Sequence, residues 1–265
     1  MPTNFSDKLI KLLIELAKNA GDKILEFYKT DFQIREKMDK SLVTEADEKA
    51  EAIILNGLAK LTPKIPVIGE ESYAAGIRQD ISGGLFWLVD ALDGTKEFVN
   101  ERDEFTVNMA LIERGVAIFG IVHAPAIDQT FWGDSFGAFI KDKKIIKRIT
   151  TRNAPKEGLT VVSSRSHRDE ENTLLEDYNI KNIINIGSSL KLCFIAAGLA
   201  DLYPRLGPTS EWDIAAGHAI LTAAGGSLTQ IDGSPFLYGK ETVLNPSFIA
   251  KGNEIQNISK INNAN

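Results

Sequence analysis

The chain has 265 residues, 43% of them hydrophobic and 25% charged, with 21 Gly and 9 Pro, which are the proportions of a globular protein and not of a disordered, collagenous or repeat chain. Its 30 Lys and Arg stand against 36 Asp and Glu, a net charge of −6. That balance argues against duplex nucleic acid or an anionic membrane as partner, because both require clustered cations, and an anionic small substrate would need local help.

The length allows one large domain or two closely packed ones. A lone cysteine, Cys193, has no intramolecular disulfide partner, so the chain reads as cytoplasmic. Residues 1–19 mix Asp7, Lys8, Lys11, Glu15 and Lys18 among apolar residues and do not read as a signal peptide. No stretch approaches the ~18 consecutive apolar residues of a membrane-spanning helix.

Leu9, Leu12, Leu13, Leu16, Ala17, Ala20, Ile24 and Phe27 recur at three- and four-residue steps, which predicts an amphipathic helix over 6–28. Thr44 and Asp47 form a variant capping box ahead of Ala50, Ile53, Ile54, Leu58 and Leu61, a second helix that ends before Pro63. Short apolar runs at 66–69 and 85–89 read as buried strands, and both end in acid, at Glu70 and Asp90. From 105 to 139 the chain is rich in Val, Ile and Phe, punctuated by Gly115, Gly120, Gly133 and Gly137. Antiparallel hairpins are expected there, with Lys141 to Lys144 at a solvated tip. After Thr150, strands at 159–163, 183–186 and 201–204 alternate with helices at 170–178, 188–197 and 212–223, and 253–265 reads as a loose polar tail. The fold class is therefore α/β, with an α+β N-terminal half at 1–150 carrying the acidic loops and an α/β C-terminal half at 151–265.

Asp90-Ala91-Leu92-Asp93-Gly94-Thr95 follows a buried strand, so Asp90 is expected at the strand end and Asp93 in the turn beyond. Two carboxylates in one small volume raise each other's pKa unless a proton or a cation intervenes. With Glu70 and Asp213 also at element ends, a cation is the better reading. Oxygen donors without Cys or His favour a hard ion, Mg²⁺ with Mn²⁺ as substitute, and the Leu92 carbonyl could add a ligand. Gly94 permits a close backbone approach, and the amides after it would offer donors to an anion. Taken singly, each piece has a plainer interpretation. D-x-x-D is commonly a solvated turn, Asp213 behind Trp212 can complement a helix dipole, and Asp47 can serve as a cap.

Three segments in order resemble a known family: Ile68-Gly69-Glu70-Glu71-Ser72, Trp87-Leu88-Val89-Asp90-Ala91-Leu92-Asp93-Gly94-Thr95 and Glu211-Trp212-Asp213-Ile214-Ala215-Ala216-Gly217. Together they are similar to the signatures of the inositol monophosphatase superfamily of Mg²⁺-dependent, typically lithium-sensitive phosphatases, and the resemblance spans most of the chain. Gly94-Thr95-Lys96-Glu97-Phe98, Glu104-Phe105-Thr106-Val107-Asn108, Ser163-Ser164-Arg165-Ser166-His167, Gly187-Ser188-Ser189-Leu190-Lys191 and the run from Leu202 to Thr209 resemble its bacterial CysQ-type 3′(2′),5′-bisphosphate nucleotidase branch. One departure is Ala91, where the family usually has Pro; Ala supplies no ligand, and neither did Pro.

The resemblance implies a layered αβαβα sugar-phosphatase fold and a phosphomonoesterase that removes the 3′-phosphate of adenosine 3′,5′-bisphosphate, with the sulfated nucleotide a further candidate substrate. It implies one Mg²⁺ held by Glu70, Asp90 and the Leu92 carbonyl and a second held by Asp90, Asp93 and Asp213, in a site taking roughly two or three ions. Asp47 and Thr95 match the family's water-activating pair. On the substrate side it implies Glu70, Leu92, Asp93, Gly94, Thr95 and Asp213 around the phosphate, and Ser164, His167, Gly187, Lys191 and Arg205 toward the nucleotide. Arg205 is the candidate for the second phosphate. The expected partner is a small nucleotide bisphosphate, and the protein a monomer or homodimer. Two other readings stay open: an inositol or sugar phosphatase with the same metals, and a non-catalytic metal- or nucleotide-binding regulator. His123, His218 and Cys193 read as structural, Trp87 and Trp212 as core support for the ligand loops, and Glu97, Glu101, Asp103 and Glu104 as a mainly solvated loop.

Overall fold

The structure, a computed structural model, describes residues 6–30, 34–36, 42–164 and 174–255. Helix α1 (Asp7–Leu25) starts where the Ser6 side chain accepts the Leu9 N–H, and it buries Leu13, Leu16, Ala17, Ala20 and Ile24. A short antiparallel pair, β1 (Ile34–Glu36) and β2 (Leu42–Thr44), leads into α2 (Glu45–Leu61), whose N-terminus carries the predicted Thr44 and Asp47 capping box.

One sheet has seven strands lying side by side in chain order: β3 (Val67–Gly69), β4 (Leu85–Asp93), β5 (Thr106–Glu113), β6 (Val116–Ala124), β7 (Gln129–Asp134), β8 (Gly137–Asp142) and β9 (Ile145–Ile149). β3 joins β4 in parallel and every later pair is antiparallel. Two short helices, α3 (Glu70–Ala74) and α4 (Thr95–Val99), follow β3 and β4. The second sheet is built from β10 (Leu159–Ser163), β11 (Ile180–Asn185), β12 (Leu202–Arg205), β13 (Ser227–Gln230) and β14 (Phe248–Lys251), in the order β11-β10-β12-β14-β13. The first three of that order are parallel, and β14 is antiparallel to both its neighbours. Two further helices among the described residues are α5 (Leu190–Ala196) and α6 (Glu211–Ala223).

Strand alternation sorts the core into layers. Trp87, Val89, Val107, Met109 and Leu111 face α1 and α2, whereas Phe86, Leu88, Ala110 and Ile112 face a larger core shared with α5, α6 and the inner residues Val162, Tyr203 and Phe248 of the second sheet. On the outer face of that sheet, Leu159, Val161 and Leu202 pack with Leu175 and Tyr178. The order is thus helices, sheet, helices, sheet, with residues 174–178 covering the far side. The rest of the helix expected at 170–178, and the tail from 256 on, lie outside the described residues.

After Asp213, α6 carries no acidic, Lys or Arg residue and is apolar except at His218 and the exposed Thr222 in its last turn, as suits a helix lying between two sheets. It lies unusually close to the larger sheet. A Cβ at Gly120 would collide with the Ala216 carbonyl, and one at Gly133 would come within 2.7 Å of the Ile220 Cα. This close packing brings the first turn of α6, with Asp213, up to the end of β4.

Candidate active site

β4 does not end at Val89 as expected. Asp90 pairs with Asn108 and Asp93 with Thr106, so three steps on β4 match two on β5. On a regular strand, residues three apart point to opposite faces; one extra residue between Asp90 and Asp93 returns both to the same side. The placement of Asp93 in a turn beyond the strand is therefore corrected: the turn starts at Gly94, whose φ of 90° is a left-handed conformation that glycine adopts without strain.

Glu70 at the start of α3, Asp90 on β4 and Asp213 in the first turn of α6 bring carboxylate oxygens within 4.8 Å of one another. Asp93 stands beside this triad with Oδ2 accepting the Ser189 N–H at 2.6 Å and the Asn108 Nδ2 at 3.2 Å. Burial holds the Asp90 carboxyl well above its usual range, and the charges of Glu70, Asp93 and Asp213 push it further. Asp213 is raised by burial and then by Asp93 and Glu70. Burial lifts Asp93 to about 6 despite the opposing charge of Lys191 and the bonds from Ser189 and Asn108. Carboxylates driven toward protonation by one another's charge fit a bound cation, and an oxygen-only donor set fits a hard divalent one.

Thr95 Oγ1 lies 3.3 Å from Asp47 Oδ1 and 3.2 Å from the Leu92 carbonyl oxygen. The other Asp47 oxygen accepts the Thr44 N–H at 2.8 Å and its hydroxyl at 2.6 Å. Asp47 therefore caps α2 with one oxygen and meets Thr95 with the other. Burial raises its carboxyl to about 6, the Thr44 bonds opposing and the Glu70 charge adding.

An open cleft of about 190 Å³ adjoins Asp93 and Asp213, and Gly94, Ser164, Gly187, Lys191 and Arg205 line it. Arg205 donates from Nη1 to the Ser164 hydroxyl at 2.8 Å and from Nη2 to the Pro208 carbonyl at 3.2 Å, while its buried Nε has no acceptor among the described residues. A buried donor left in that state costs about 1–3 kcal/mol, which an anionic ligand would offset. Lys191 is buried, with Nζ donating to the carbonyls of Ile186 at 3.3 Å and Ser188 at 2.7 Å. Its charge, more than a freely reaching ammonium, is what the cleft receives. His167 lies outside the described residues.

The acidic loop is more than a solvated segment. The Glu104 carboxylate accepts the Gly187 N–H at 2.8 Å, and Asp103 accepts the Tyr28 hydroxyl at 2.7 Å. His123 and His218 are structural, their Nδ1 atoms 2.9 Å from the Thr130 hydroxyl and 2.8 Å from the Tyr238 hydroxyl, and Cys193 is buried. Trp87 donates to the Thr62 hydroxyl at 3.0 Å, and Trp212 packs against Tyr73 with ring centroids 5.4 Å apart.

Several supporting residues escaped the sequence reading. Glu51, buried one turn along α2 from Asp47, accepts the N–H groups of Glu71 and Ser72 at 2.8 Å and the Ser72 hydroxyl at 2.5 Å. Its signal was a charge beside Ala50 and Ile54 on the apolar face of the helix. Glu211 accepts the Gly239 N–H at 2.8 Å and pairs with the Lys240 ammonium, and Asn245 donates to the Ser210 carbonyl at 2.6 Å. These contacts fix the start of α6, where Asp213 accepts the Ser210 N–H at 2.8 Å. Like Asn108 and Ser189, they join distant segments that no local spacing announces.

Residues 6–263 match the inositol monophosphatase family. The chain is 44% identical over 245 residues to the 3′(2′),5′-bisphosphate nucleotidase CysQ of Salmonella typhimurium, an alignment covering 91% of this chain and 98% of that protein. Among solved structures, CysQ of Bacteroides thetaiotaomicron is similar with a TM-score of 0.79 at 34% identity, over 95% of this chain and 99% of that one. The Thermotoga maritima IMPase gives a TM-score of 0.76 at 27% identity, over 93% and 92%. No helix among the described residues is long and apolar enough to cross a membrane. With its acidic triad assembled from three motifs in the expected order, the chain belongs to the metal-dependent inositol monophosphatase family.

Proposed function

We propose that this chain is a Mg²⁺-dependent phosphomonoesterase that hydrolyses the 3′-phosphate of adenosine 3′,5′-bisphosphate to give adenosine 5′-phosphate and phosphate. One juxtaposition carries this conclusion: the Glu70, Asp90 and Asp213 triad opens beside a cleft whose wall holds Arg205 with a buried Nε that has no partner among the described residues. The triad supports a cation-assisted attack on a phosphate ester. The arginine supports a second anionic group on the substrate, and so favours a bisphosphate over an inositol monophosphate. The lone, buried Cys193 fits a reducing compartment, and we place the protein in the cytoplasm.

Glu70, Asp90 and the Leu92 carbonyl would hold one Mg²⁺, and Asp90, Asp93 and Asp213 a second, with Mn²⁺ as substitute. Bound there, the ions would neutralise the phosphoryl and leaving oxygens and acidify the attacking water. The Thr95 hydroxyl has one proton and two acceptors in reach, Asp47 Oδ1 and the Leu92 carbonyl. Given to Asp47, that proton leaves a lone pair on Oγ1 that accepts from the attacking water and orients it. Asp47 stays in place because Thr44 holds its other oxygen. Arg205 would grip the 5′-phosphate with its fork, while Ser164, His167, Gly187 and Lys191 complete the nucleotide side.

Phosphate release from adenosine 3′,5′-bisphosphate and from inositol 1-phosphate, with Mg²⁺, without it and with added Li⁺, tests the proposal. The expected result is an absolute Mg²⁺ requirement, inhibition by Li⁺, and a preference for the bisphosphate of about tenfold or more in kcat/KM. Equal or faster turnover of inositol 1-phosphate would make the chain a sugar phosphatase. Tight nucleotide binding without turnover would make it a regulator.

A further inference from the structure

We infer that Asn108 and Ser189 are positioning residues that clamp the Asp93 carboxylate and tie its orientation to the turn that lines the substrate cleft, resting on the proposed role of Asp93 as a cation ligand. Both hydrogen bonds given to Asp93 fall on one oxygen: Oδ2 accepts the Ser189 N–H at 2.6 Å and the Asn108 Nδ2 at 3.2 Å. The Asn108 amide is held in turn, because its Oδ1 accepts the Ser189 hydroxyl at 2.7 Å, and that hydroxyl lies 2.9 Å from the Thr106 Oγ1. One amide group thus bridges the carboxylate and the turn. With Oδ2 held from two directions, the carboxylate cannot rotate about its Cβ–Cγ bond, and the opposite oxygen keeps a fixed direction.

Burial makes the clamp strong. Thr106 is 0%, Asn108 1% and Ser189 3% exposed, and hydrogen bonds fully satisfied in such surroundings act as a rigid unit. The clamp also joins two parts of the fold, since Thr106 and Asn108 lie on β5 of the larger sheet and Ser189 immediately precedes α5. Ser188, just before it, is held at φ 52°, a left-handed backbone rare outside glycine. Lys191 bonds the Ile186 and Ser188 carbonyls across the same turn, and Glu104 accepts the Gly187 N–H. Gly187 and Lys191 line the cleft. A ligand that orders this turn therefore orders Asp93, and a cation that fixes Asp93 orders the turn, a coupling that is reciprocal by thermodynamic necessity.

The test is Mg²⁺ affinity measured by titration calorimetry without substrate, then with adenosine 5′-phosphate as a probe of the cleft, on wild type and four variants with a cooperative thermal transition. Asn108→Leu should weaken Mg²⁺ binding about tenfold or more. Ser189→Ala keeps the backbone N–H on Asp93 but drops the link to Asn108, and should weaken it about threefold; it decides the matter if Asn108→Leu does not fold. Thr62→Val removes the hydrogen bond from Trp87 and the one Thr62 donates to the Leu58 carbonyl, neither of which involves a cleft residue, so it should lower Tm and leave Mg²⁺ affinity unchanged. Adenosine 5′-phosphate should tighten Mg²⁺ binding in wild type and fail to do so in Asn108→Leu. If Asp93→Asn abolishes binding of the second ion while both clamp variants stay within twofold of wild type for that ion, the clamp is refuted and the ligand role stands. If Asp93→Asn itself binds within twofold of wild type, both fall.

Discussion

Asp47 and Glu51 lie four residues apart on α2 and serve the acidic cluster from two sides: Asp47 Oδ1 meets the Thr95 hydroxyl at 3.3 Å, and Glu51 accepts the N–H groups of Glu71 and Ser72 at 2.8 Å, immediately after Glu70. Residues so spaced share a helix face. One turn of α2 therefore sets the distance between the proposed water-orienting pair and the proposed cation ligand Glu70. The fit is tight, because a Cβ on Gly69 would come within 2.6 Å of the Glu51 carboxyl carbon.

Glu51→Gln keeps the shape but turns one acceptor into an NH₂ group facing N–H donors. The Mg²⁺ concentration for half-maximal turnover should rise about tenfold, and stability should fall by about 1–3 kcal/mol for each orphaned buried donor. A Mg²⁺ titration of steady-state phosphate release and a thermal melt check the two effects. A lower Tm with unaltered Mg²⁺ dependence would reduce Glu51 to a purely structural part.

Asp90→Asn should lower kcat by about 10³-fold or more at saturating Mg²⁺, because Asp90 is the carboxylate proposed to touch both ions. The metal-free variant should melt no lower than wild type, since the substitution removes one of several like charges crowded at the centre of the cluster. Near-normal phosphate release from the folded variant would refute the bridging role.

Local patterns made much of the frame legible: the apolar stripe of α1 and the capping box at Thr44 announce themselves within a few residues. β9 did not, because it is an edge strand whose Ile145 and Ile146 are exposed and leave no burial alternation to follow. That Asp90 and Asp93 would crowd one small volume was readable from their types and spacing. Their strand placement was not, because the extra residue between them is defined only by pairing with Asn108 and Thr106. That Glu70 and Asp213 meet Asp90 came from resemblance to a family; no spacing rule brings a residue of α3 and one of α6 together.

Arg205→Ala should separate substrates. A charge-assisted, two-pronged contact to phosphate contributes about 2–3 kcal/mol, so kcat/KM for adenosine 3′,5′-bisphosphate should fall about 100-fold. Adenosine 3′-phosphate, which lacks the second anion, should lose less than about threefold. Equal losses on the two substrates would remove Arg205 from specificity and leave it as a brace for Ser164 and Pro208.

Stability should depend on pH differently with and without Mg²⁺. Burial lowers the His123 and His218 pKa values from 6.5 to about 4. The stability they contribute is complete above 6.5 and is lost as pH falls through about 4, up to about 3 kcal/mol for each. The carboxylates act in the opposite sense. Burial raises Asp47 and Asp93 from 3.8 to about 6, and Asp90 and Asp213 are also raised. Their contribution is complete below 3.8 and is lost as pH rises through the folded values. Between about pH 4 and 6.5 the two sets oppose each other in the metal-free protein, and at higher pH the remaining carboxylate loss dominates. Saturating Mg²⁺ should cancel that loss, because a cation stabilises the charged form and displaces the proton. The rise in Tm on adding Mg²⁺ should therefore grow steadily from about pH 5 to 8. A rise of constant size over that range would show that the clustered carboxylates do not bind the ion in competition with protons.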